Sequence, residues 1–201
     1  VKMKRLFTVF ILFIIFAAAN TFSFPKLTSE LKVGKQPMAM AVDKVGRIHV
    51  LCAGVDANYN GAYDEGDEYP SWWVSASVAS GVSEFTKVKE FAVGALGFPV
   101  RPCWDFDNYT LYVNENSQVA AYNTMNYELI DANVAALNAS AISKDGNYLY
   151  ITMTPWSGTG SITKYDLTSK TVVATIDGLV YPRQSLPYWN GSLALISEGT
   201  M

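Results

Sequence analysis

The 201-residue chain is half hydrophobic, 13% aromatic and only 16% charged, which excludes a disordered, collagen-like or coiled-coil protein. Its net charge is −3, and the part beyond residue 23 carries 12 Lys+Arg against 18 Asp+Glu, a balance of −6. An acidic chain with no basic cluster excludes nucleic acid as the expected partner, because phosphate binding needs a positive surface.

The first element is an export signal over residues 1–23. Lys2, Lys4 and Arg5 form a positive start, 6–19 is an uncharged apolar run, and Ala17-Ala18-Ala19 or Thr21-Phe22-Ser23 supplies a small-residue cleavage site. The run falls short of the ~20 residues of a transmembrane helix. A cleaved secretory signal is therefore expected, with an uncleaved anchor as the competing possibility. The rest, 24–201, is expected outside the cytoplasm (periplasm, cell surface or secreted), with no stable membrane span. Val1 reads as an alternative start codon of a bacterial gene, or as the edge of a gene fragment.

Beyond the signal the chain reads as short β-strands punctuated by turns. Ile48-His49-Val50-Leu51, Leu111-Tyr112-Val113-Asn114, Leu149-Tyr150-Ile151-Thr152 and Leu193-Ala194-Leu195-Ile196 are apolar and β-prone. Each follows a turn: Lys44-Val45-Gly46, Asp107-Asn108-Tyr109, Lys144-Asp145-Gly146-Asn147 and Trp189-Asn190-Gly191. Before each turn lies another short strand, at 38–42, 103–106, 139–142 and 184–186. Further pairs follow in the second unit (118–122, 128–130) and the third (161–165, 171–176). Leu129, Ile130, Val134 and Leu137 also fit one or two helical turns over 128–138. From Leu111 to Leu149 is 38 residues and from Leu149 to Leu193 is 44. A period of about 40 residues with four strands per unit marks an all-β propeller blade.

The first unit is too long, since 60 residues separate Leu51 from Leu111. The excess is an acidic insertion at 55–73. Within it, oxygen side chains fall at positions 1, 3, 5, 9 and 12 of a loop that starts at Asp56, with Gly61 at position 6. That is the pattern of a calcium loop, in which alternate side chains turn inward on a hard cation and glycine allows the sharp bend. Asp56, Asn58, Asn60, the Ala62 carbonyl, Asp64 and Asp67 are the expected Ca²⁺ ligands in a structural site. Asp67 stands where a bidentate Glu is usual, so Glu65 or Glu68 is an alternative donor. A solvated acidic turn is the competing reading. Trp72 and Trp73 follow, either as a stacking platform for a sugar or as packing residues, and alternation favours one ring in the core between blades. Trp104 and Trp156 also read as packing residues.

Ser143-Lys144-Asp145-Gly146-Asn147-Tyr148-Leu149-Tyr150-Ile151-Thr152, followed by Gly160-Ser161-Ile162-Thr163-Lys164-Tyr165-Asp166 and Val172-Val173-Ala174-Thr175-Ile176, resembles a YVTN-type β-propeller repeat. Tyr112-Val113-Asn114 echoes it. The stretch Val33-Gly34-Lys35-Gln36-Pro37 through Val42-Asp43 and Gly46-Arg47-Ile48 is similar to the NHL-type repeat. The resemblance covers roughly 33–200 and implies an incomplete arc of three to four blades, the N-terminal part of a larger propeller.

The inventory of reactive groups is thin. The one histidine, His49, sits mid-strand, where packing or hydrogen bonding is the expected role. The sequence holds no nucleophile elbow, phosphate loop or dinucleotide fingerprint. Gly158-Thr159-Gly160 reads as a hairpin tip. Asp43, Asp105 and Asp145 recur near turns, where aspartate satisfies backbone N–H groups. Cys52 and Cys103 are expected as separate thiols, although export permits a bridge. The expected function is an exported binding or scaffolding module, its partner an unknown protein or carbohydrate at the cell surface. The alternative is a lactonase- or lyase-like propeller enzyme whose catalytic residues lie partly beyond residue 201.

Overall fold

The computed structural model describes residues 33–55, 72–77, 85–92, 95–96, 101–155, 158–187 and 192–197. The signal segment and the 56–67 loop lie outside them. The described residues form strands and turns without a helix, so none offers a helix long and apolar enough to cross a membrane.

The strands fall into consecutive antiparallel sheets, each paired in chain order. The first comprises β1 (Pro37–Val42), β2 (Arg47–Cys52), β3 (Trp72–Ser77) and β4 (Thr86–Glu90). The second comprises β5 (Cys103–Asp105), β6 (Thr110–Glu115), β7 (Gln118–Asn123) and β8 (Leu129–Ala135), and the third β9 (Ala141–Asp145), β10 (Tyr148–Met153), β11 (Thr159–Asp166) and β12 (Thr171–Val180). A two-stranded sheet of β13 (Pro182–Pro187) and β14 (Leu193–Ser197) follows.

Period-2 alternation stacks these sheets. In β6, Leu111 and Val113 join Leu51 and Trp73 of the first sheet and Phe91 just after it, while Tyr112 faces the other way onto Ile142, Leu149 and Ile151 of the third. In β7, Ala120 and Tyr122 enter the first cluster and Val119 and Ala121 the second. A middle strand buried on both faces is what sheets packed face to face require. The first strands run side by side, β5 beside β9 and β9 beside β13. Four-stranded meanders stacked with neighbouring first strands are propeller blades. The fold is an incomplete arc of three blades and the first two strands of a fourth.

The long connection of the first blade is 53–71, where its counterparts are 116–117 and 154–158. Trp72 and Trp73, at the end of the expected 55–73 insertion, pair with Cys52 and Leu51 as the start of β3. The helical alternative at 128–138 is replaced by β8, which pairs along β7 through two register shifts. The expected inner strand at 139–142 is shifted to Ala141–Asp145, and that at 103–106 ends one residue early. Of the tip expected over 158–160, Gly158 (φ +88°) precedes β11, while Thr159 and Gly160 already belong to it.

Candidate functional site

Where β1 turns into β2, Asp43 organises the chain. Its Oδ1 accepts hydrogen bonds from the backbone N–H of Val45 (3.0 Å) and of Arg47 (2.8 Å). Gly46, at φ +79°, lets the turn close. Oδ2 accepts from Arg47 Nε at 2.6 Å and lies 3.2 Å from His49 Nε2. Burial works against ionisation of Asp43. The backbone and guanidinium of Arg47, with His49 and Val45, outweigh it and hold the carboxyl at about 2.

His49 is fully buried. Its Nδ1 lies 3.2 Å from the indole Nε1 of Trp73. An indole N–H only donates, so Nδ1 must accept, and the imidazole proton sits on Nε2, facing Asp43. Burial lowers the pKa of His49 below 6.5, against the pull of Asp43. Trp73, Trp104, Phe106 and Tyr127 surround the ring with centroids 5.5–6.3 Å away. The histidine is thus a packed, hydrogen-bonded strand residue, as its position suggested, and both of its nitrogens are engaged.

Arg47 carries this network across to the second blade. Its Nη2 donates to the Thr124 carbonyl at 3.2 Å and lies 3.0 Å from Met125 Sδ, and Nη1 donates to the Tyr127 hydroxyl at 3.3 Å. Above it, Lys44 is ion-paired with Asp107. One blade further on, Asp105 accepts from Asn108 at its own turn and from Lys144 of the third blade at 2.9 Å. Asp43 and Asp105 therefore do the turn work expected of them; Asp105 also ties the second blade to the third, and Asp43 holds the Arg47 that reaches the second. Asp145 ends β9, exposed.

Beside the exposed Lys44–Asp107 pair, the first seam shows apolar and aromatic side chains to solvent. Val45 is 62% exposed, Tyr109 49% and Met125 47%. They surround a cavity of about 60 Å³ lined also by Asp43, Lys44, Phe106 and Thr124. Tyr109 (φ 51°) and Tyr127 (φ 65°) both adopt the left-handed conformation that bulky residues avoid. Strained aromatic residues in two adjacent turns single this face out.

Of the other expected site residues, Asp56, Asn58, Asn60, Ala62, Asp64 and Asp67 lie outside the described residues, as does Trp156. Trp73 is a core residue, not a sugar platform. Cys52 is buried and Cys103 half-buried, both as free thiols, and burial pushes Cys103 up to about 12. Sequence reading missed Arg47, Thr124, Met125 and Tyr127. The hairpin register offered a signal for the first, since Asp43, Arg47 and His49 fall on alternate positions around one turn.

A scan of family models found no match to the chain, and a search of curated proteins found none either. Solved structures are similar to it. A chain of the nidogen/laminin complex aligns with 14% identity and a TM-score of 0.48, covering 70% of this chain and 47% of that one. Sqt1 of Saccharomyces cerevisiae aligns with 8% identity and a TM-score of 0.47, covering 74% of this chain and 36% of its own. The chain spans about half the length of the first and about a third of the second. The fold assignment rests on the sheets themselves.

Proposed function

We propose that this chain is part of an exported, YVTN/NHL-type β-propeller that binds a protein partner, with the seam between its first two blades as a contact face. One observation carries the reading. Asp43, Arg47 and His49 are committed to one another and Lys44 to Asp107, His49 is sealed beneath four aromatic rings, and Val45, Tyr109 and Met125 stand exposed beside the Lys44–Asp107 pair. Exposed apolar and aromatic side chains on a rigid frame suit recognition. Catalysis needs a titratable group that reaches a substrate.

Export through the 1–23 signal and a structural Ca²⁺ in the 56–67 loop belong to the same reading. The insertion springs from Cys52 and Trp72, at the end of the first sheet opposite Asp43. An ion held by Asp56, Asn58, Asn60, the Ala62 carbonyl, Asp64 and Asp67 would order that loop. Calorimetric titration of the full chain checks it: heat with an affinity near ~10⁻⁴–10⁻³ M supports the site, and none at millimolar calcium removes it.

The binding reading is tested by placing a photo-crosslinking residue at Val45 in the full chain, with Val173 of β12 as control, in cells that secrete it. The reading expects one discrete adduct from position 45, displaced by excess unlabelled protein. The same adducts from both positions, or none from either, would overturn it.

A further inference from the structure

The guanidinium of Arg47 has four acceptors, and one of them is a sulfur. Nε donates to Asp43, Nη1 to the Tyr127 hydroxyl and Nη2 to the Thr124 carbonyl. Nη2 also donates to Met125 Sδ at 3.0 Å. This last bond lies at the solvent edge of the seam, and Met125 is half exposed. A thioether accepts weakly. It is the one acceptor of the four that oxidation would improve.

We propose that Met125 is a modification site: a hydroperoxide converts its thioether to a sulfoxide, Arg47 holds the new oxygen, and the contact face becomes more polar while the fold stays intact. The effect on a partner rests on the seam being a contact face; the modification itself does not. In the chemical step a sulfur lone pair attacks one peroxide oxygen. The S–O bond forms and the O–O bond breaks. Sulfur is oxidised by two electrons, and the other peroxide oxygen leaves, with the proton, as water or an alcohol.

Position decides which methionine responds in this way. Met40 and Met125 are exposed, whereas Met38 and Met153 are half-buried, Met38 against the first core cluster. An oxygen on Met38 would enter apolar packing and cost stability. Exposure is shared by Met40 and Met125, and the cationic N–H at the sulfur distinguishes Met125 among the described residues. A sulfoxide oxygen accepts more strongly than a thioether, and a charged donor strengthens the bond further. Space is at hand, because Met125 lines the seam cavity and its unbranched side chain can shift to seat the oxygen.

The test uses the full chain carrying Met40→Leu, treated with limiting hydrogen peroxide. Peptide mapping should find one oxygen on Met125 before any on Met38 or Met153, with a melting point no lower than in the reduced chain. The Nη2–H resonances of Arg47 should shift and exchange more slowly with water. As the unlabelled competitor of the position-45 adduct, the oxidised chain should be about fivefold weaker or more, and methionine sulfoxide reductases should restore it. In Met125→Leu the same treatment should produce no change from that variant's own starting values. Oxidation of Met38 or Met153 ahead of Met125, a lowered melting point with oxygen on Met125, or unmoved Arg47 resonances would overturn the modification site. A competitor undiminished by oxidation would overturn its effect on the partner. If the reduced chain gives no position-45 adduct, the contact face falls, while mapping, melting and the Arg47 resonances still decide the modification site.

Discussion

The indole nitrogen of Trp73 and Nδ1 of His49 meet at 3.2 Å on adjacent strands of the first blade, 24 residues apart in sequence. This bond fixes the tautomer of the only histidine in the chain. It thereby directs the Nε2 proton to Asp43, which in turn holds Arg47 for its reach into the second blade. The seam is built from the inside outward.

Trp73→Phe keeps an aromatic ring in the core but leaves Nδ1 buried without a donor. Urea unfolding should show a loss of about 2–3 kcal/mol, from the unsatisfied nitrogen and the smaller ring together. Destabilisation well under 1 kcal/mol would mean that the bond is not made.

Acid should weaken the fold in two windows. The folded pKa of His49 lies below 6.5. Above 6.5 both states are neutral and its contribution is complete. As pH falls through 6.5 the unfolded chain takes a proton that the folded chain refuses, and stability declines until the folded pKa is reached. Asp43, lowered from 3.8 to about 2, contributes fully above 3.8 and loses that contribution between 3.8 and about 2. Denaturant midpoints measured against pH should follow this course. His49→Gln should flatten the upper decline, since no other histidine is present.

Tyr109 and Tyr127 share a strained backbone and differ in packing. Tyr109 is half exposed, whereas Tyr127 meets Trp73 edge-on at 5.0 Å. Tyr109→Gly should leave thermal stability unchanged or raise it by up to about 1 kcal/mol through relief of the left-handed strain. Tyr127→Gly should lower it by about 2 kcal/mol or more, because the lost aromatic packing outweighs the same relief. Equal effects would show that packing at Tyr127 is not what holds the turn.

Gly160 permits the third blade to meet the fourth. A Cβ there would collide with the Met153 carbonyl oxygen and come within 2.7 Å of Pro182 Cγ. Gly160→Ala should therefore destabilise by about 3 kcal/mol, at the upper end of overpacking costs. Gly158→Ala meets open space and bears only backbone strain. A calorimetric comparison of the two should put Gly160→Ala lower in melting temperature.

The blades were legible because their inner strands carry a plain signal. Leu111 and Leu149 are wholly buried and stand at matching positions after turns, and Gly146 supplies the positive φ that its turn requires. The outer strands are less regular. β8 is exposed along most of its length and β12 along nearly all of it. β12 buries neither face and β8 only its last two residues, Val134 and Ala135, so the alternation that betrays a strand is missing, and 128–138 read equally well as a helical turn. The seam was legible only in pieces. Asp43 and His49 stood out singly, but the reach of Arg47 to Thr124 spans 77 residues and exists only because two blades stack.

The central claim is that the one histidine serves the frame of the proposed contact face, with both of its nitrogens engaged. Nitrogen-15 NMR of the imidazole across a pH titration addresses it directly, since there is a single ring to observe. The account predicts the Nε2–H tautomer at neutral pH, with a midpoint below 6.5. An Nδ1–H tautomer, or a ring that titrates freely at or above 6.5, would contradict it.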